Sequence, residues 1–123
     1  MIERRVKRSN RLETALEYQL EACAERAGLE AMVLADDAGL LVASSPWSSE
    51  RSETIAAFLP LLVEGSDYLG ILRQEVGDGE EPVLISAFEA AGSELFLCAV
   101  GGFGGATHQE IARAKVGVRR ILN

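Results

Sequence analysis

The residues whose types could do chemistry are the adjacent carboxylates Asp36 and Asp37, His108, the thiols Cys23 and Cys98, and the run Gly101-Gly102-Phe103-Gly104-Gly105. General acid and base work needs two groups facing one substrate. Neighbouring aspartates followed by Gly39 suit a tight turn better, where they bond the backbone and the glycine takes positive φ. A glycine run ahead of a helix is the setting in which backbone amides cradle phosphate. Here it lacks the Gly-Lys-Ser/Thr ending of a P-loop, and Thr107 stands where the dinucleotide pattern wants glycine or alanine. The run therefore reads either as a connection that lets a strand reverse into a helix or as a weak anion site. His108 falls in the first turn of the last helix with no second histidine or nearby cysteine, which makes it a surface residue rather than a ligand or base. Cys23 and Cys98 lie in apolar periodic segments without zinc or redox spacing and read as buried reduced thiols. No serine sits in a Gly-x-Ser-x-Gly elbow. No catalytic residue, cofactor or metal ligand is nominated, and the expectation is a protein that is not an enzyme.

The chain has 123 residues, with 48% hydrophobic and 25% charged side chains, which is the size and composition of one globular domain. No apolar run approaches the roughly 20 residues that would span a bilayer, and no apolar segment follows the basic start, so a cytoplasmic setting is expected. Net charge is −7, unevenly spread. Residues 1–11 carry Arg4, Arg5, Lys7, Arg8 and Arg11, and residues 113–120 carry Arg113, Lys115, Arg119 and Arg120. The stretch between has three of the 12 basic residues against 18 of the 19 acids, which argues against a nucleic-acid-binding body. Residues 1–9 read as a basic N-terminal tail, solvated and frayed or in contact with lipid or nucleic acid, ahead of a domain over 10–123.

The elements that must position these residues follow from patterning. A first helix is expected from Asn10, which can cap it with Glu13 reaching back, to Ala27, with Gly28 as its stop. Leu12, Leu16, Leu20, Cys23 and Ala27 make its buried stripe. Glu13, Glu17, Glu21 and Glu25 make a second stripe, mildly self-repelling. That stripe is either a solvated face or faces the basic last helix or a basic partner. Ala31 to Ala35 and Leu40 to Ala43 flank the Asp36-Asp37-Ala38-Gly39 turn as a hairpin. Neither run alternates, so both faces of these strands need cover.

A polar loop then carries Trp47, the chain's single tryptophan, which either folds back over the core or anchors an interface. The second helix begins near Ser49 or Ser52 and holds Ile55, Ala56, Phe58, Leu59, Leu61, Leu62 and Val63. It is apolar nearly all round, so one side on the sheet leaves another that needs a partner chain. Pro60 should bend it. Tyr68 to Val76 reads as a third strand rather than more helix, because Gly65 and Gly70 weigh against helix and Gly77-Asp78-Gly79 suits a hairpin connection. Pro82 to Phe88 and Glu94 to Val100 form another covered hairpin. The last helix opens with a capping box of Thr107 and Glu110 and buries Ile111, Ala114, Val118, Ile121 and Leu122. The order is α-β-β-α-β-β-β-α, an α/β (α+β) chain with an antiparallel sheet between helices on both faces.

The segment Met-Val-Leu-Ala-Asp-Asp-Ala-Gly-Leu-Leu-Val-Ala-Ser, together with that order of elements, resembles the roadblock/dynein light chain family, including its bacterial MglB-like members. The resemblance covers about residues 10–122. It implies a profilin-like fold: a five-stranded antiparallel sheet with the first and last helices on one face and the second on the other. It also implies homodimers, or heterodimers with a related subunit, formed by pairing second helices and third strands. Members bind and regulate small Ras-like GTPases as activators or scaffolds, without catalytic residues of their own. The second helix here departs from the pattern in being short and interrupted by Pro60.

The expected function is thus a non-catalytic dimeric interaction module for a small Ras-like GTPase. Trp47, Ile55, Phe58, Leu59, Leu62, Val63 and Tyr68 are the candidate dimer or partner residues, with no cofactor, no nucleic acid and no membrane span. The alternative is a small-ligand or anion-binding sensor of profilin-like architecture, using the glycine run and the cleft beside Trp47.

Overall fold

The computed structural model describes residues 2–47, 49–62, 67–73, 80–102 and 104–123, with side chains described from residue 11 onward outside 49 and 67–81. The chain runs α1 (Ile2–Ala27), β1 (Ala31–Asp36), β2 (Leu41–Ser45), α2 (Ser49–Leu62), β3 (Asp67–Arg73), β4 (Glu80–Ala90), β5 (Ser93–Val100) and α3 (Gly105–Leu122). The strands lie side by side in the order β2-β1-β5-β4-β3, and each neighbouring pair is antiparallel. It is a mixed α/β chain with α1 and α3 on one face of the sheet and α2 on the other.

Strand parity divides the core. Met32, Leu34, Leu84, Phe88, Leu95, Leu97 and Ala99 point toward α1 and α3, where Leu16, Leu20, Ala24, Ile111, Ala114 and Val118 meet them. Their neighbours Val33, Ala35, Val83, Ile85, Phe96, Cys98 and Val100 point toward Ile55, Ala56 and Leu59 of α2. The absence of alternation in β1 and β5 thus has its cause: every residue from Ala31 to Ala35 and from Leu95 to Val100 is buried. A bulge refines the first hairpin. Leu34 pairs with Ala43 but Ala35 pairs with Leu41, so Val42 is an extra residue, and it packs with Ala43 on the α1–α3 side.

The Asp36 turn forms as its residue types require. The Asp36 carboxylate accepts hydrogen bonds from the Ala38 and Leu40 amides, both at 2.9 Å, and Gly39 sits at φ +82°. A Cβ on Gly39 would lie 3.2 Å from the Ala57 Cα, so this turn also seats α2. The second hairpin turns on Ala91 (φ +52°) and Gly92 (φ +78°), a two-residue loop with both residues left-handed. The Asn123 side chain accepts the Ala91 amide at 3.0 Å, and Arg119 donates to the Glu89 carbonyl at 2.9 Å, which ties the end of α3 to that turn.

Several boundaries differ from the sequence expectation. Helix α1 begins at Ile2, so Asn10 lies inside it rather than capping it. Residues 3–9 hold only Glu, Arg, Lys, Val and Ser, with no glycine or proline to stop a helix. Helix α2 passes through Pro60 and ends at Leu62, which leaves the proline in its last turn. Helix α3 begins at Gly105 with Gly104 as its cap and no side-chain cap bond. Thr107 and Glu110 are buried inside the helix instead, and Glu110 is held by arginines of α1 and α3. In β3, Tyr68 stands opposite Ile85. The Gly77-Asp78-Gly79 connection and Val63 lie outside the described residues.

Both thiols are buried and free. Burial raises the Cys98 thiol far above the ordinary thiol range. Burial also raises Cys23, against a smaller opposing pull from Arg26. A raised thiol pKa means little thiolate near neutral pH, and thiolate is the reactive form. We therefore expect neither cysteine to react readily with a thiol reagent at pH 8 in the folded protein, and both to react in denaturant. Prompt reaction of either in the native state would contradict this packing. Gly39→Ala should lower unfolding free energy by about 1–2 kcal/mol through forced left-handed geometry, read from urea denaturation. Asp36→Ala should cost about 1 kcal/mol through the two lost turn bonds.

Candidate functional site

The Asp36 carboxylate is committed to the backbone of its own turn, and Asp37 is exposed. His108 is likewise exposed, on the first turn of α3. Among the described residues no group of three His, Cys, Asp or Glu side chains could hold a metal ion.

Two glycines of the run, Gly101 and Gly102, sit in close packing within the chain, while a Cβ on Gly104 or Gly105 would meet nothing within 4 Å. Gly101 has φ +106°, and a Cβ there would lie 3.0 Å from the Glu30 amide nitrogen. A Cβ on Gly102 would lie 3.1 Å from the Thr107 hydroxyl and 3.3 Å from Leu29. The Gly101 amide donates to the Pro82 carbonyl at 2.8 Å, and the Glu30 amide to the Val100 carbonyl at 2.9 Å. These glycines let the connection into α3 cross the α1–β1 connection at backbone distance. Phe103 lies outside the described residues.

Trp47 is half-buried against the core under α2, and the Arg51 guanidinium lies 4.0 Å from its ring centroid. With Glu17, Tyr18, Glu21, Ser44, Ser45 and Pro46 it lines a groove of about 290 Å³ between α1 and the end of β2. The carboxylates Glu17 and Glu21 line this groove, and the Arg51 guanidinium stacks on the Trp47 ring at its wall. A second groove of about 390 Å³ runs between α1 and α3, lined by Gln19, Arg26, Arg113, Val116, Gly117 and Arg120 among others. There Arg26 meets one Glu110 carboxylate oxygen at 2.8 Å and Arg113 the other at 3.2 Å. Beside them the end of the Gln19 side chain lies over Gly117, where an added Cβ would require it to move.

The candidate interface residues divide by helix face. Ile55 and Leu59 are buried within the chain, on the sheet side of α2, and Leu62 is half-buried beside them. Phe58 is 39% exposed on the outer side. Leu61, one turn on, is 77% exposed, the most exposed large hydrophobic residue described. Ala57, just before Phe58, is exposed as well. The outer face of α2 is charged or polar at Glu50, Glu53 and Thr54 and apolar at Ala57, Phe58 and Leu61. Tyr68 falls on β3, and its side chain, like Val63, is outside the described residues. Sequence reasoning left out Leu61, although its spacing of three from Phe58, out of phase with Ile55, Leu59 and Leu62, carries the signal. It also missed the Arg26–Glu110 pair, for which only the Glu110–Arg113 spacing gives a local hint.

No family model matches the chain, and no curated protein matches it. Solved structures do match. Myxococcus xanthus MglB is similar at a TM-score of 0.66 and 11% identity, over 88% of this chain and 87% of that one. A structure described as MglB with tetrameric arrangement is similar at a TM-score of 0.63 and 18% identity, over 90% of each chain. The gliding protein MglB from Thermus thermophilus is similar at a TM-score of 0.60 and 16% identity, again over 90% of each. At these identities the likeness is one of fold, and the fold of this chain is that of the MglB structures, which are roadblock-type proteins.

Proposed function

We propose that this chain is a non-catalytic, dimeric interaction module that binds and regulates a small Ras-like GTPase in the cytoplasm, as an activator or a scaffold. The observation that carries the reading is the outer face of α2. A single chain leaves Phe58 39% and Leu61 77% exposed on one short helix whose inner face is already satisfied. Large apolar side chains clustered on a polar surface are what partner chains cover. Pairing of α2 with α2 of a second copy, with Trp47 at the rim, covers them in a self-complementary way. The MglB likeness supports the same reading, since one of those structures carries a tetrameric arrangement in its description. The resemblance to GTPase regulators supplies the class of partner.

A regulator of this kind works by orienting the switch regions of the GTPase, so its contribution is binding energy directed at one conformation of the partner.

Light scattering at micromolar concentration tests the dimer. The wild-type chain should have twice the monomer mass, and Leu61→Asp should raise the dimer dissociation constant by at least about tenfold, equivalent to about 1.4 kcal/mol. A wild-type chain that stays monomeric would remove the main support for the reading. For the partner, a GTPase recovered on the immobilised chain should hydrolyse GTP at a changed rate when the chain is added. An unchanged rate leaves scaffolding as the form of regulation, and binding that ignores the bound nucleotide contradicts regulation.

A further inference from the structure

Charge on the helical face of the molecule is sorted between two grooves. Glu17 and Glu21 of α1 turn toward the end of β2, where they line the groove beside Trp47. On its other side α1 meets α3, and the groove of about 390 Å³ between them is lined by Arg26, Arg113 and Arg120, with no carboxylate among the described residues at its surface. Glu110 lies beneath, its side chain only 6% exposed, and takes Arg26 at 2.8 Å and Arg113 at 3.2 Å. Those two arginine side chains stay 45% and 54% exposed, so each keeps donors turned to solvent. Arg120 is exposed two turns further along α3. Three guanidinium groups thus share one carboxylate, in a chain whose net charge is −7.

Between the arginines the groove is apolar, with Ala112, Gly117 and the 52% exposed Val116. Arg113, Val116 and Arg120 step by three and four along α3, the spacing of a seam against which another helix packs. Arg113 and Arg120 therefore stand about 10.5 Å apart along the axis. A single small anion can engage one end of such a groove but leaves Val116 in water. A helix with two carboxylates at the same spacing and an apolar side chain between them reaches both ends and covers the middle. Arginine suits that contact, because its planar fork meets a carboxylate through two parallel hydrogen bonds. Glu110 already holds two of the three forks in place, which reduces the freedom lost on binding. Nucleic acid fits less well: no aromatic side chain among the described residues lines the groove for base stacking, and the net charge repels a polyanion at a distance.

We propose that the groove between α1 and α3 is a docking site for an acidic amphipathic helix of a partner protein, with carboxylates on the Arg26–Arg113 and Arg120 ends and an apolar side chain over Val116. This surface lies across the sheet from α2 and does not depend on the reading of α2 given above. Exposed ion pairs are individually weak and screened by salt, so binding at this site is modest and falls as salt rises.

The probe is a dye-labelled, alanine-rich helical peptide with two glutamates at the spacing of Arg113 and Arg120 and a leucine between them, followed by fluorescence anisotropy against the full chain. It should bind at least about tenfold more tightly than the same peptide with lysines in place of the glutamates, because two contacts change sign. Replacing its leucine by alanine should weaken binding by at least about threefold, which attraction between charges alone would not do. Arg120→Glu should weaken the glutamate peptide by at least about threefold, yet bind a peptide with one glutamate and one lysine more tightly than the wild-type chain does. Circular dichroism checks that this variant keeps its helix content. Inorganic phosphate should displace the peptide no better than chloride at equal ionic strength. Equal binding of the glutamate and lysine peptides, indifference to the leucine, failure of the mixed peptide to favour Arg120→Glu, displacement by phosphate beyond its ionic strength, or tighter binding of a single-stranded oligonucleotide than of the glutamate peptide would each overturn the proposal.

Discussion

At the centre of the molecule β1 and β5 lie side by side with Val33 opposite Cys98, and all of their central side chains are buried. That pair sets the main constraint on the structure. A strand with apolar side chains on both faces requires two covers, because either face left in water would expose several large aliphatic groups at roughly 1.5–3 kcal/mol each. The chain meets the demand with α1 and α3 on one face and α2 on the other. The short turn at Asp36, the glycine crossing at Gly101 and the ties from α3 to the second hairpin are the local devices that let three helices reach those positions.

The two covers are unequal, and the functional reading grows from the inequality. On the α1–α3 face two long helices meet each other as well as the sheet, with the end of the Gln19 side chain lying over Gly117. On the other face one helix of 14 residues does the work alone. Its inner residues Ile55, Ala56 and Leu59 are fully used by the sheet, yet the sequence continues apolar on the outside through Phe58 and Leu61. Burial within the chain explains the first set and leaves the second without a role. In the proposed dimer a partner chain would cover it.

How much of this is legible in the sequence depends on the range of the interaction concerned. The Asp36 hairpin is legible because its bonds span two and four residues, so residue type and spacing contain the answer. The doubly covered sheet is legible because parity leaves a mark on every strand. Glu110 reads falsely as a capping residue because its first partner, Arg26, lies 84 positions away, and a local pattern of Thr107 and Glu110 imitates a cap. Asn10 misleads for the converse reason: it can cap, but nothing before it obliges the helix to stop. At α2 the sequence announces an excess of apolar surface but does not assign it to a face. Only the contact with the sheet separates Leu59, which is buried, from Leu61, which is exposed.

What remains is a fold shared with MglB structures, a core satisfied on both faces, and an apolar helix surface with no residue of the described chain to cover it. The central claim is that α2 meets α2 of a second copy. Glu50 lies on the exposed line of α2 away from Phe58 and Leu61, and the two native thiols are buried, so a nitroxide label on Glu50→Cys reports this contact selectively. Paired helices lie about 8–10 Å apart, which brings the two labels within dipolar range. Pulsed electron resonance on the folded chain should therefore give a narrow interspin distance that disappears on adding Leu61→Asp. A wild-type surface with no dipolar coupling, or a coupling that survives Leu61→Asp unchanged, would contradict the account.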